Sequence, residues 1–199
     1  QAGISTDEKH EVQVVTSTAD TPTADTPIVW EWFLALDISG SMGALVNRSL
    51  GLTRLDLVKY NTEMLLRRLA TSDEASPHRI TIVAFTDTVE TVVSHETVTP
   101  QTLPRLIRLV AALCPKRTTN IKAAIQRLGE QMRPGHRNIA VILTDGQPTD
   151  SAGFTEPDDP SEYLRLLRQY QGLYHTWSMM GYGSRLSHQI MLETARAGN

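Results

Sequence analysis

Phe33-Leu34-Ala35-Leu36-Asp37-Ile38-Ser39-Gly40-Ser41-Met42 is the stretch that decides the fold, an apolar run that stops abruptly at an aspartate and two hydroxyls. From Ile28 to Ile38 the chain is apolar apart from Glu31 and Asp37, the pattern of a central strand covered on both faces. Trp30 and Trp32 share one face of it and read as core residues. Asp37, Ser39 and Ser41 alternate with Ile38 and Gly40, so an extended backbone sends all three side chains to one side at the strand's end. A polar group buried without a partner is costly, whereas a hard cation satisfies a carboxylate and two hydroxyls together. The stretch therefore reads as half of a metal site.

The second half comes from a strand of the same form. Asn138 to Thr144 is continuously apolar and again ends in an aspartate, Asp145. Between the two lie a helix of about 17 residues whose apolar positions are Leu55, Val58, Thr62, Leu65 and Leu69, a hairpin of Arg79–Phe85 and Thr88–Val93 turning at Thr86-Asp87, and helices over Gln101–Leu113 and Asn120–Met132. Beyond Asp145 the pattern predicts a helix from a Ser161 cap to about Gln171, a strand over Leu173–Met179 and a helix over Leu186–Arg196. Alternating strands and helices imply an α/β, doubly wound, Rossmann-like sheet, mostly parallel, with one antiparallel edge hairpin strand and helices on both faces. Ligands bind such sheets outside the carboxyl ends of the strands, where strand order reverses. Asp37 and Asp145 as neighbours at that crevice would face one point.

Composition narrows the function classes. The 199 residues, 40% of them hydrophobic, suit one sizeable core. Residues 1–27 read as a separate polar segment, with a short edge strand at Glu11–Thr16 and a breaker-rich linker that repeats Thr-Ala-Asp-Thr-Pro; residues 28–199 form the domain. A net charge of -3 without a long basic run argues against a nucleic-acid surface. No stretch reaches the roughly 20 apolar residues that span a bilayer. The single cysteine, Cys114, excludes an intrachain disulfide, leans toward a reducing, cytoplasmic setting and reads as a small buried group. His10, His78 and His136 fall in polar stretches and read as solvated, His175 as a core histidine on a strand, and His95 and His188 have no evident partner.

The donors suit a particular ion. Mg²⁺ prefers an octahedron of oxygens and keeps several waters; zinc would call for thiolates or imidazoles, and these loops contain none. Lys116-Arg117-Thr118-Thr119-Asn120 is a polar turn into a helix, where Thr119 offers a third hydroxyl, although Thr119 or Asn120 serves equally well as a helix N-cap. Neutral hydroxyls at the ion, with the acids holding its waters, leave it electropositive. Its last position then suits the Asp or Glu carboxylate of a partner.

Asp37-Ile38-Ser39-Gly40-Ser41, then Thr119-Asn120-Ile121, then Leu143-Thr144-Asp145-Gly146 resemble the metal-ion-dependent adhesion site of von Willebrand factor type A domains. Arg54-Leu55-Asp56-Leu57-Val58-Lys59 resembles the family's first helix, and Ile82-Val83-Ala84-Phe85-Thr86 its second strand. The resemblance implies a monomeric interaction domain of a larger protein, binding Mg²⁺ (or Mn²⁺ or Ca²⁺) through Asp37, Ser39, Ser41, Thr119 and Asp145, with a protein ligand that offers a carboxylate, and neither nucleic acid nor membrane insertion. The family usually places glycines before the threonine, where Arg117 and Thr118 stand here, putting a positive charge beside the cation. The family's last strand would begin near Ala195–Asn199. Two rivals stay open: an α/β-hydrolase using Ser41 with Asp145 and His175 or His188, one residue from the Gly-x-Ser-x-Gly elbow, and a structural domain with an unfilled site. The acidic loop with Asp150, Glu156, Asp158 and Asp159 could take a second cation, or lie solvated.

Overall fold

The computed structural model describes residues 28–73, 76–116, 118–146, 148–149, 154–183 and 187–198. Seven strands and five α-helices follow one another as β1 (Trp30–Asp37), β2 (Leu45–Asn47), β3 (Leu52–Thr53), α1 (Arg54–Ala70), β4 (His78–Phe85), β5 (Val89–Thr97), α2 (Leu103–Ala111), α3 (Ile121–Gln131), β6 (Arg137–Thr144), α4 (Ser161–Gln169), β7 (Tyr174–Gly181) and α5 (His188–Ala197). The main sheet has the order β5-β4-β1-β6-β7. All its neighbours are parallel except β4 and β5, which form the antiparallel edge hairpin expected from Thr86-Asp87. The chain leaves β1 toward β4 on one side and returns to β6 on the other, so the reversal falls between β1 and β6.

The alternation along β1 sets the two layers. Leu34 and Leu36 pack with Leu55, Val58 and Leu66 of α1 and Leu106 and Val110 of α2. Phe33 and Ala35 pack with Ile121, Ile125 and Leu128 of α3, Tyr163 and Leu167 of α4, Trp177 of β7 and Ile190 of α5. Local chemistry starts the helices where the chain needs them. At α1 the Asp56 amide donates to Thr53 Oγ1 at 3.1 Å while the Thr53 amide donates to Asp56 Oδ2 at 2.8 Å, a reciprocal capping box. Pro104 sits in the first turn of α2, where a missing N–H is harmless. At α4 the cap position is Pro160 rather than Ser161. Asp159 Oδ1 instead accepts from the amide and hydroxyl of Ser161.

Several side chains lie elsewhere than periodicity suggests. Trp30 and Trp32 are only half-buried, with Trp30 stacked under the Arg137 guanidinium at 4.9 Å, and the fully buried indole is Trp177. Cys114 is exposed, because the chain has already left α2 when it reaches Cys114. His175 is exposed and His78 buried, reversing both expectations. β7 is the outer strand of the sheet, and the Trp177 amide donates to Gly198 O at 3.0 Å. The expected strand at Glu11–Thr16 and the linker after it lie outside the described residues, as does Arg117.

The base of β1 holds a second surprise. Glu31, on the face of Phe33, is fully buried, with His95 Nδ1 2.8 Å from one carboxylate oxygen and His136 Nδ1 3.1 Å from the other. His136 is therefore tied down rather than solvated, and His95 has a partner. His95 reaches inward because β5 bulges there: its φ is +48°, and the ladder with β4 shifts register on either side of Ile82. Such a conformation is unfavourable for a side chain other than glycine. Here it is held by the Thr81 hydroxyl, which accepts from the His95 amide at 3.0 Å, and by Arg79, whose Nε and Nη2 donate to the His95 carbonyl at 3.0 and 2.7 Å.

Two substitutions test this packing by urea denaturation. Glu31→Ala removes the acceptor that both imidazoles share and opens a cavity; the expected loss is about 3 kcal/mol. At Gly129 of α3 an added Cβ would lie 2.4 Å from the Tyr170 ring. Gly129→Ala is thus expected to destabilise by about 1–3 kcal/mol despite alanine's better helix propensity.

Candidate metal centre

Asp37 ends β1 and Thr144 ends β6, and the parallel register, which sets Leu36 opposite Leu143, brings them side by side. Asp37 is fully buried. Its Oδ1 accepts from the Ser39 amide at 2.8 Å and its Oδ2 from the Thr144 hydroxyl at 2.5 Å. Thr144 Oγ1 accepts in turn from the Gly146 amide at 2.9 Å. Burial pushes the Asp37 carboxyl up from 3.8 to about 6, partly offset by the hydrogen bonds from Thr144 and Ser39, while neighbouring Asp145 adds a further upward push.

Ser39 and Ser41 converge, but not through strand alternation. The strand ends at Asp37, Ser39 is still extended, and Gly40–Gly43 forms a 3-10 turn closed by the Met42 amide donating to Ser39 O and the Ala44 amide to Ser41 O, each at 3.0 Å. The buried Met42 side chain pins this turn to the α1 layer. The two hydroxyls then lie 3.0 Å apart, Ser39 buried and Ser41 exposed. From this turn the chain continues into the β2–β3 ribbon.

Asp145 follows β6 and is 3% exposed. Its Oδ2 accepts from Arg54 Nη1 at 2.6 Å, while its Oδ1 is buried with no hydrogen-bond partner among the described residues. Asp37, Ser39, Ser41 and Asp145 thus gather at the crevice between β1 and β6. Thr119 is buried and tied to the segment after Asp145: its amide donates to Thr149 Oγ1 and its carbonyl accepts from the Thr149 amide, both at 2.9 Å. The N-cap of α3 is Asn120, whose Oδ1 accepts from the Ala123 amide at 3.0 Å, so capping makes no demand on Thr119. The neighbouring Thr118 hydroxyl is also buried without a partner among the described residues.

The donor set fits a hard cation by the test the structure affords. A buried carboxylate oxygen without a donor is the group a cation relieves, and hydroxyl and carboxylate oxygens are the ligands Mg²⁺ takes. Among the described residues there is no group of three or more His, Cys, Asp or Glu able to hold a metal; the side-chain oxygens gathered here are those of two acids and two serine hydroxyls. The acidic loop is otherwise occupied. Glu156 pairs with Lys122 at 2.9 Å, Asp158 accepts from the first amides of α5, and Asp159 caps Ser161; Asp150 lies outside the described residues. Pattern reading overlooked Thr144, Thr149 and Arg54. Thr144 carries a signal in its place next to Asp145 at a strand end, and Arg54 in being a cation at the first position of a helix, where anions are favoured.

Comparison with solved structures yields the same architecture. A von Willebrand factor type A protein from Catenulispora acidiphila superposes with a TM-score of 0.67 at 19% identity, over 86% of this chain and 37% of that one. The D319A mutant of the PilB minor pilin from Streptococcus sanguinis gives 0.67 at 14% identity, over 90% and 57%. Protein BatB from Bacteroides thetaiotaomicron gives 0.62 at 18% identity, over 85% and 86%. The chain therefore spans well under two thirds of the first two proteins. Among curated proteins the comparison finds no match. No helix among the described residues is long and apolar enough to cross a membrane. Residues 33–147, more than half of the chain and inclusive of all five proposed ligands, match the sequence profile of the von Willebrand factor type A domain, and the chain belongs to that family.

Proposed function

We propose that this domain is a divalent-cation-dependent protein-binding module, with Asp37, Ser39, Ser41, Thr119 and Asp145 holding Mg²⁺ and a partner's Asp or Glu carboxylate completing the site. The observation that carries this reading is the buried Oδ1 of Asp145, which has no hydrogen-bond partner among the described residues and lies beside the Asp37 carboxylate. The family's domains are typically non-catalytic, and the domain has the fold of one in a pilin.

Each residue has a separate task. Asp37 is fixed by Thr144 and the Ser39 amide, so its carboxylate presents negative charge without rotating. Ser39 and Ser41 contribute neutral oxygens that leave the ion's charge only partly compensated. When bound, the cation supplies an electropositive coordination position open to an anionic oxygen. Ser41, the exposed member, marks the side from which a partner arrives. Exposed Leu45, Val46 and Leu50 on the β2–β3 ribbon that follows Ser41 offer apolar surface to flank it.

Calorimetry with Mg²⁺ is expected to give a saturable signal for the wild type and none for Asp37→Ala; indistinguishable traces would refute the reading. An array of peptides carrying Asp, Glu, Asn or Gln at one position should retain the protein on the Asp and Glu members in Mg²⁺ and on none in EDTA.

The metal-free domain carries a pH signature. Asp37 titrates near 6 when folded and near 3.8 when unfolded, so the native state binds more protons between those values. Its contribution to stability is complete below about pH 4 and is lost as pH rises through about 6. In EDTA, the wild type measured against Asp37→Asn should lose about 2 kcal/mol between pH 4 and pH 7. A flat difference in the urea midpoints would contradict it.

A further inference from the structure

Arg54 stands where helix physics does not ask for it. It is the first residue of α1, and a cation there opposes the partial positive charge of the helix N-terminus. Its guanidinium is nonetheless packed inward, with 18% side-chain exposure against 2% for its partner Asp145. One nitrogen, Nη1, lies 2.6 Å from Asp145 Oδ2 and 3.5 Å from the Ser41 carbonyl oxygen. That nitrogen therefore sits between the segment after β1 and the end of β6, the interval an ion held by both must use. The far wall of the slot is Gly183, at φ +122°, where an added Cβ would lie 2.8 Å from Arg54 Cζ. Backbone conformation and lack of a side chain at Gly183 both leave room for the guanidinium.

We infer that Arg54 is the resident cation of the metal-free site, neutralising Asp145 until a divalent ion loads and competing with that ion for it. The inference rests on the metal-binding reading. Two buried acids at adjacent strand ends repel one another, and the guanidinium offsets that repulsion in the absence of metal. The same positive charge raises the cost of bringing a second cation to Asp145. Loading is then an exchange of cations, in which the Arg54–Asp145 pair weakens as the ion takes up the acid. Metal affinity is lower than the donor set alone would give, and a metal-free domain stays folded rather than splaying at the crevice.

The test compares wild type, Arg54→Gln and Arg54→Lys, with Asp37→Ala as the control for the site itself. In EDTA, Arg54→Gln is expected to melt several degrees below wild type, since a buried carboxylate has lost its partner, and Arg54→Lys to fall between them. By calorimetry Arg54→Gln should bind Mg²⁺ about tenfold more tightly than wild type. Equal or weaker Mg²⁺ binding by Arg54→Gln, or an unchanged melting temperature in EDTA, overturns the inference while leaving the metal site standing, provided that wild type binds and Asp37→Ala does not. Absence of Mg²⁺ binding by wild type and by both Arg54 variants overturns the site and the inference together. A measurement on unaltered protein guards against a variant that fails to fold: the Arg54 Nε–H resonance should be protected in EDTA and should shift and exchange faster on saturation with Mg²⁺. A resonance that Mg²⁺ leaves unmoved overturns the exchange.

Discussion

The top of this molecule is governed by the burial of Asp37 and Asp145, two acids at the ends of adjacent parallel strands. Almost every hydrogen bond nearby answers it. Thr144 and the Ser39 amide donate to Asp37, the Gly146 amide fixes Thr144, and Arg54 crosses from another element to Asp145. A carboxylate pair in a low-dielectric setting is unfavourable unless donors or cations converge on it. The loops above the sheet can be understood as the supply of those donors.

Hydrogen bonds between loops hold the scaffold around the same crevice. The Thr119 segment is held from two sides, by Thr149 and by the Asn120 amide donating to Thr86 O at 2.7 Å, while the Lys116 amide donates to Ile38 O at 2.5 Å. Loops from β1, β4, α2 and β6 are thereby stitched into one rim. Affinity at such a site comes from ligands held in place beforehand, because little ordering entropy remains to be lost on binding.

The fold was legible because its signals were strong and local. Helical spacing from Leu55 to Leu69 sat on a 17-residue helix, and two apolar runs ending in aspartates marked adjacent strands whose ends meet at the reversal of strand order. What escaped pattern reading depended on partners distant in sequence. Glu31 looked like an interruption of a strand and proved to be a buried acceptor, because its histidines lie 64 and 105 residues away. Arg54 stood in the sequence only as the start of a helix until the fold set it against Asp145, 91 residues on. The convergence of Ser39 and Ser41 was foreseen for the wrong geometric reason, since a 3-10 turn rather than a continued strand brings them together.

β1 carries acids at both ends of one face, Glu31 and Asp37, with Phe33 and Ala35 between them. Six residues of strand separate the acids by about 20 Å. A slip of two residues in either direction would keep the pleat in phase and so would not be penalised by alternation alone. It would, however, drive one carboxylate into the apolar middle of the domain and pull the other from its donors. The two acids work as end-stops, giving the central strand one position along its neighbours as well as one face toward the core.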